Sequence, residues 1–412
     1  MHQNKNPAPG SAAFIFIFIT VALDMMAVGI TAPVLPKLIL QFRAGDVSSA
    51  ALYVGLFATL WAAMQFVFSP VIGALSDRFG RRSVILLSNL GLGLDYLLMA
   101  LSPSLSWLLV GRIASGITSA SYPTAGAYIA DVTPPAERAA RFGMLGAAFG
   151  IGFVIGPALG GLLGAIDLRL PFWVAGALSL ANAAYGFFIL PESLPREKRR
   201  PFSLKNAHVF GSLRLLSSHP ELLGLAGAVV VMALAHEALP NMFVLYTDQR
   251  YGWTERGEGL ALALVGVASG IVSTTVVRPL VRRVGERNAA LLGLLFGITG
   301  CCIFALATSG AVFLTGIAFI AMWGVAGPSI QSLMSHRVDP SEQGKLQGAL
   351  GSIRAMTGML GPVLFTQVFS LAVRHGDGPL QGAPYFLSAA LLLAALVIAW
   401  RVLPRQNASA SQ

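Results

Sequence analysis

The sequence predicts an all-α polytopic membrane protein of twelve transmembrane helices, built as two six-helix halves. Composition is the first observation: the 412 residues are 55% hydrophobic and only 11% charged, where about 25% charged is usual for a soluble domain. The second is a set of twelve mostly apolar stretches between Ala12 and Leu403, each near the ~20 residues that cross a hydrocarbon core about 30 Å thick. The third is an internal repeat, in which landmarks of the first half recur in the second at a constant offset.

Taken in order, the expected spans are 12–36, 50–75, 84–102, 105–130, 142–165 and 171–191 in the first half. The second half gives 221–245, 258–280, 288–309, 311–333, 344–373 and 381–403. An even number of spans places both termini on one side. The net charge of +10 is lopsided: 20 Lys and Arg face the side of the termini, six face the other side, and Arg112 and Arg354 fall inside helices. Basic loops are retained in the cytoplasm, so both termini are expected there. The basic balance then reports topology and contact with anionic lipid, not nucleic acid. The first apolar stretch is too long for a cleavable signal and carries Asp24 near its centre, so it is expected to remain as a span. Cys301 and Cys302 are adjacent within the ninth span and form neither a disulfide framework nor a four-ligand metal site.

Shifting by 205 residues takes Gly80 to Gly285, Arg82 to Arg287, Pro123 to Pro328, Pro135 to Pro340 and Glu137 to Glu342. It also takes Gly143 to Gly348, Gly146 to Gly351 and Gly156-Pro157 to Gly361-Pro362. An ungapped series with three prolines and a glutamate reads as duplication. Six helices per repeat relate the halves by an axis along the membrane normal. The expected domains are 1–191, a cytoplasmic linker 192–220 containing the basic run Arg196 to Arg200, and 221–412.

Between the second and third spans stands Gly73-Ala-Leu-Ser-Asp77-Arg78-Phe-Gly80-Arg81-Arg82. Gly80 permits a tight reversal, and Asp77 is placed to accept from a helix N-terminus or an arginine. The segment resembles the signature loop of the major facilitator superfamily, and a degenerate copy, Arg282 to Arg287, sits where the repeat predicts. The resemblance implies the major facilitator fold and a cytoplasmic gate formed by Gly73, Asp77, Arg78, Gly80, Arg81 and Arg82.

In the fifth span Gly152, Gly156, Gly160 and Gly164 recur every four residues, which places them on one helix face for close backbone approach. The stretch from Gly152 through Gly156-Pro157 to Gly160 resembles the motif of drug:proton antiporters, where it lines the contact between the halves. Three further segments narrow the likeness: Asp95-Tyr96-Leu97-Leu98, Gly111 to Thr118, and Gly126 to Asp131. So do Pro33-Val-Leu-Pro36 and Tyr251-Gly252-Trp253. Together they resemble the bacterial tetracycline-efflux transporters. The resemblance implies proton-coupled efflux of a drug-like molecule from the cell through the inner membrane, with tetracycline the leading candidate and a metabolite transporter the alternative. It also implies a protein that works as a monomer, with substrate and protons as its partners and no cofactor.

Charges inside spans cost about 2.5–3.5 kcal/mol at a helix centre on insertion scales and persist mainly for function. Asp24 lies midway along the first span, and Asp95 and Arg112 lie at similar depth in the third and fourth, positioned to pair. Glu237, beside His236 and Pro240 in the seventh span, is a second coupling candidate, because a carboxylate in a desolvated site exchanges protons readily. Asp24→Asn is expected to fold normally and lose coupling. Gln65, Trp323 and Gln331 are candidate cavity-lining groups. The six histidines are scattered, so neither a catalytic constellation nor a metal site is expected, and no loop is long enough for a signalling domain.

One departure stands out. The resemblance implies a histidine in the eighth span and an acid in the ninth. This chain has only Glu258 at the outer edge of the eighth, and Gly297 near the place of the acid.

Overall fold

A computed structural model describes residues 9–119, 121–134, 137–199, 220–339, 342–375 and 378–403. Most of the expected linker, residues 200–219, lies outside them. Among the described residues there is no β-strand. That agrees with the rule that a chain in lipid must satisfy its backbone within helices or a closed barrel.

The first half contains α1 (Pro9–Thr31), α2 (Leu35–Phe42), α3 (Val47–Phe79), α4 (Arg81–Leu101), α5 (Leu105–Thr118), α6 (Ser121–Val132), α7 (Arg138–Gly164) and α8 (Leu170–Ile189). The second contains α9 (Pro220–His236), α10 (Ala238–Tyr251), α11 (Glu255–Ile271), α12 (Val277–Leu306), α13 (Gly310–Trp323), α14 (Ala326–Ser335), α15 (Gln343–Arg374) and α16 (Ala383–Val402). Among the described residues, ten helical runs are long and apolar enough to cross a bilayer. One of them, Glu255–Leu306, is 52 residues long and divides at Gly285 into two spans, and α5 with α6 supplies the twelfth. The twelve expected spans are therefore present.

Four spans are broken, and each break has a proline as its cause. Pro36, Pro123, Pro240 and Pro328 have no N–H to donate to the carbonyls four residues earlier, those of Ala32, Ser119, His236 and Gly324. α1 gives way to α2 across residues 32–34, α5 to α6 after Ser119, α9 to α10 at Glu237, and α13 to α14 at Gly324 and Val325. The breaks keep the 205-residue offset: 32 maps to 237 and 119 to 324. Duplication is thus visible in helix geometry as well as in residue identity.

The turns repeat in the same way. Gly80 has φ 101° and Gly285 φ 78°, left-handed values that a side chain disfavours, and each separates two spans.

By packing, the chain forms two compact units. One comprises residues 1–42, 60–207 and 254–263; the other comprises 43–59, 208–253 and 264–412. In the first, α1 packs chiefly on α7 and α4 on α8, around buried Phe16, Ile17, Ile85, Tyr128 and Leu145. In the second, α9 and α12 pack on α16 and α12 also packs on α13. Its aromatic knot stacks Phe304 on Phe313 at 4.1 Å and sets Tyr385 edge-on to Tyr246 at 4.9 Å. Tyr246 Oη donates to the Phe304 carbonyl at 2.8 Å. Exposed Leu87, Leu94, Phe188, Leu264, Leu360 and Trp400 form the apolar outside that a bilayer requires.

Candidate functional site

The signature loop is held by a compact charge network in the first unit. Arg81 Nη1 lies 2.6 Å from Asp77 Oδ1, and its Nε lies 3.2 Å from Asp131 Oδ2. Arg81 Nη1 also donates to Ser76 Oγ at 3.1 Å. Glu192, just past α8, accepts from the Arg81 backbone N–H at 2.8 Å and so caps α4 at its positive end. A side chain at residue 80 would collide with the Glu192 carboxylate, a second reason for glycine there. Arg199 reaches Glu192 at 3.6 Å, Ser193 Oγ donates to Asp131, and Arg82 donates to the Phe187 carbonyl at 2.6 Å. Arg78 lies over the Phe79 ring. Gly73 has open space where a side chain would start, so packing does not require it. Glu192 gave no sequence signal because its partner is more than a hundred residues away.

The second unit carries a related contact in which the acid stands at the other position. By the offset Arg81 becomes Glu286 and Asp131 becomes His336, and these two meet at 3.5 Å, with Ser332 Oγ donating to Glu286 at 2.5 Å.

Asp24 is 2% exposed. Its carboxylate accepts from Asn182 Nδ2 of α8 at 3.2 Å and from Asn89 of α4, at 3.2 and 3.3 Å with the amide turned to satisfy both of its ends. Asn182 is fixed in turn by Thr20 Oγ, which donates to its Oδ1 at 3.2 Å. The sequence marked Asp24 but not its amide cage.

Asp95 and Arg112 do not form the ion pair that their similar depth suggested. They interact electrostatically, yet neither Asp95 oxygen nor Arg112 Nε has a hydrogen-bond partner. Ser115 approaches Asp95 from α5, outside hydrogen-bonding geometry. Gly111 is required beside this pair, since a side chain there would start 2.7 Å from Asp95 Oδ1.

Glycines of α7 explain a further contact. Side chains at Gly152, Gly156 or Gly160 would strike the α1 backbone at Ala22, Met26, Gly29 or Ile30, and Pro157 packs on Gly29. This corrects the expectation for Gly152, Gly156 and Gly160: their close approach is to α1, within the first half. Contact with the second half begins instead at Gly161 and at the Pro157 carbonyl, which meet Gly259 of α11. The four-residue spacing fixes a face but does not say which neighbour fills it. Beside this contact lies an ion pair that the sequence did not announce. Lys37 Nζ of α2 sits 3.3 Å from Glu258 Oε1 of α11, with side chains 9% and 0% exposed.

The second unit contains a cavity of about 510 Å³ lined by His236, Glu237, Trp323, Gln331 and Arg354 among apolar groups. Two of the helix breaks, at Glu237 and at Gly324, line it. Asn241 Nδ2 donates to Glu237 Oε2 at 3.2 Å, and the Glu237 side chain lies against Gly361 of α15, where any larger residue would displace it. The His236 and Trp323 rings are 5.5 Å apart. Gln331 donates to Gln347 Oε1 at 3.0 Å. Gln65 belongs to the first unit and does not line this cavity. Gly297 is closed off: a side chain there would start 2.8 Å from the Trp323 ring and 2.9 Å from Leu392. Trp323 thus occupies the space an acid on the ninth span would need.

Twelve spans, proline-broken helices in matching places and a mostly apolar cavity with a few polar groups at the breaks define a multi-pass membrane transporter. The chain belongs to the Major Facilitator Superfamily, whose profile matches residues 17–362. It is 37% identical over 384 residues to the class C tetracycline resistance protein of Escherichia coli, covering 93% of this chain and 95% of that one. The class H tetracycline resistance protein of Pasteurella multocida is 34% identical, with coverage of 94% and 95%. Multidrug resistance protein 2 of Bacillus subtilis is 28% identical, with coverage of 88% and 90%. Among solved structures, the nucleoside transporter NupG superimposes with a TM-score of 0.76 at 12% identity, covering 95% of this chain and 98% of that one. The human organic anion transporter MFSD10 does so with a TM-score of 0.69 at 24% identity, with coverage of 95% and 100%. These relatives are transporters, not enzymes.

Proposed function

We propose that this protein exports a drug-like small molecule in exchange for protons by alternating access, with tetracycline the leading candidate. We place it in the inner membrane of a bacterium, with both termini cytoplasmic. The tetracycline resistance relatives, alike over nearly the whole chain, support the efflux reading, and the 20-to-six division of basic residues supports the orientation. The observation that carries the reading is Glu237: a carboxylate at a helix break, aimed into a cavity sized for one drug-like ligand. Its role is to carry the transported proton, and Asp24 and Asp95 are the candidates in the other half. The signature loop is the cytoplasmic gate, with Arg81 clamped between Asp77 and Asp131 when closed.

The experiment is expression in a pump-deficient bacterium, with susceptibility measured across tetracyclines, phenicols, quinolones and dyes. Drug accumulation is followed with and without an uncoupler. Raised resistance with uncoupler-sensitive exclusion is expected. Unchanged susceptibility across the panel would contradict drug export.

A further inference from the structure

We propose that the cavity of the second unit selects a zwitterionic aromatic amphiphile, its anionic group on Arg354 and its cationic group on Glu237. The inference rests on the transporter reading and adds the chemical class of the ligand.

Two opposite charges share this cavity without neutralising each other. Among the described residues no carboxylate lies within 4.0 Å of the Arg354 guanidinium. The Glu237 carboxylate is met by the Asn241 amide, a neutral donor. Such charges in an apolar span are costly when left without partners, so a ligand that supplies both complements is favoured over one that supplies either alone.

The spacing is set by α15. Glu237 Oε1 lies 3.9 Å from the point where a Gly358 side chain would start, and its Cγ lies against Gly361. These glycines are four and seven residues beyond Arg354, on the same helix face. At 1.5 Å rise per residue, Glu237 meets α15 about 6–10 Å along its axis from the Arg354 backbone. The same cavity is lined by the rings of His236 and Trp323, 5.5 Å apart and tilted at 53°, and by the apolar Ile320 and Leu239.

The same geometry disfavours the alternatives. A purely cationic ligand would satisfy Glu237 but sit beside an unanswered guanidinium. The place where the ninth span could carry another acid is filled by Trp323 against Gly297. One arginine and one glutamate therefore set the charge balance of the cavity, and the ligand that matches it is neutral overall with separated charges.

The test uses three molecules on one ring system: norfloxacin, a zwitterion at neutral pH; its ethyl ester, which keeps only the cation; and its piperazine N-acetyl derivative, which keeps only the anion. Binding to the purified full chain is measured by equilibrium dialysis. Wild type is expected to bind norfloxacin about tenfold more tightly than either derivative, the size of a well-placed charge-assisted contact. Arg354→Gln should weaken norfloxacin without weakening the ester, so that the preference between the two is lost. Glu237→Gln should weaken norfloxacin without weakening the N-acetyl form, so that this preference is lost. Arg354→Lys, which keeps the charge, should retain the preference for norfloxacin over the ester if Arg354→Gln fails to fold. Equal binding of all three molecules by wild type, absence of binding by all three, or equal weakening of all three in Arg354→Gln would overturn the proposal. Dialysis needs no transport, so a protein that binds norfloxacin selectively yet exports nothing would separate failure of the efflux reading from failure of this one.

Discussion

Asp24 and Glu237 are both acids within spans, but their surroundings assign them different sensitivities. The Asp24 carboxylate accepts from two asparagine amides, so Asp24→Asn sets a third amide among donors. The substitution is expected to destabilise the protein by about 1–3 kcal/mol as well as impair transport, the cost of a buried mismatched hydrogen-bonding group. A thermal melt of the purified variant measures the first effect. This revises the expectation from sequence that the variant folds normally: composition singled out Asp24, whereas Asn89 and Asn182 are separated from it by 65 and 158 residues and left no local signal. Glu237 faces the cavity and has one side-chain donor, Asn241. Glu237→Gln keeps shape and that hydrogen bond's acceptor, so it is expected to fold, melt like wild type and lose proton-coupled uphill transport.

At the scale of elements, the glycines of α7 divide into two groups that the four-residue pattern alone does not distinguish. A Cβ at Gly156 would start 2.7 Å from the Gly29 Cα and the Met26 carbonyl, both rigid backbone, whereas at Gly150 it would meet nothing within 4 Å. Gly156→Ala is expected to cost about 1–3 kcal/mol through overpacking, and Gly150→Ala to be neutral or slightly stabilising in a melt or denaturant series. The Lys37–Glu258 pair follows a similar logic in charge. Removing either partner takes the opposite charge away from a buried ion and is expected to cost about 3–5 kcal/mol, while the double variant Lys37→Met with Glu258→Met recovers most of that loss. A double-mutant cycle on thermal stability reads the difference. Helix breaks were partly legible, since Pro36, Pro123, Pro240 and Pro328 stand in the sequence. Pro70, Pro157 and Pro362 lie inside continuous helices, so proline marks where a break can occur and tertiary packing decides whether it does.

On the scale of the whole molecule, the two-half plan was the most legible feature, because a 205-residue shift preserves landmarks that report backbone geometry. Gly80 and Gly285 keep positive φ, and the helix breaks fall at matching positions. Charges are less bound by the duplication: Arg81 with Asp131 becomes Glu286 with His336. We propose that the halves 1–191 and 221–412, joined by the 192–220 linker, move about the substrate in turn. Asp77→Asn removes one of the two carboxylates that hold Arg81, and is expected to raise the labelling by thiol reagents of single cysteines introduced beside the signature loop. Unchanged labelling would count against the gate. One proton entering down about 150 mV and one pH unit contributes about 3.4 plus about 1.4 kcal/mol, enough for a gradient of about a thousandfold when the exported solute carries no net charge.

Proton-coupled export is the central claim, and uphill uptake into everted membrane vesicles tests it most directly. Vesicles carrying wild type, loaded acid inside and diluted into alkaline buffer containing labelled tetracycline or norfloxacin, are predicted to accumulate substrate above its external concentration. Accumulation should collapse on adding an uncoupler and be absent with Glu237→Gln. Accumulation by Glu237→Gln equal to wild type, with the same response to pH over 5.5–8.5, would contradict the account and leave Asp24 and Asp95 as the remaining proton carriers.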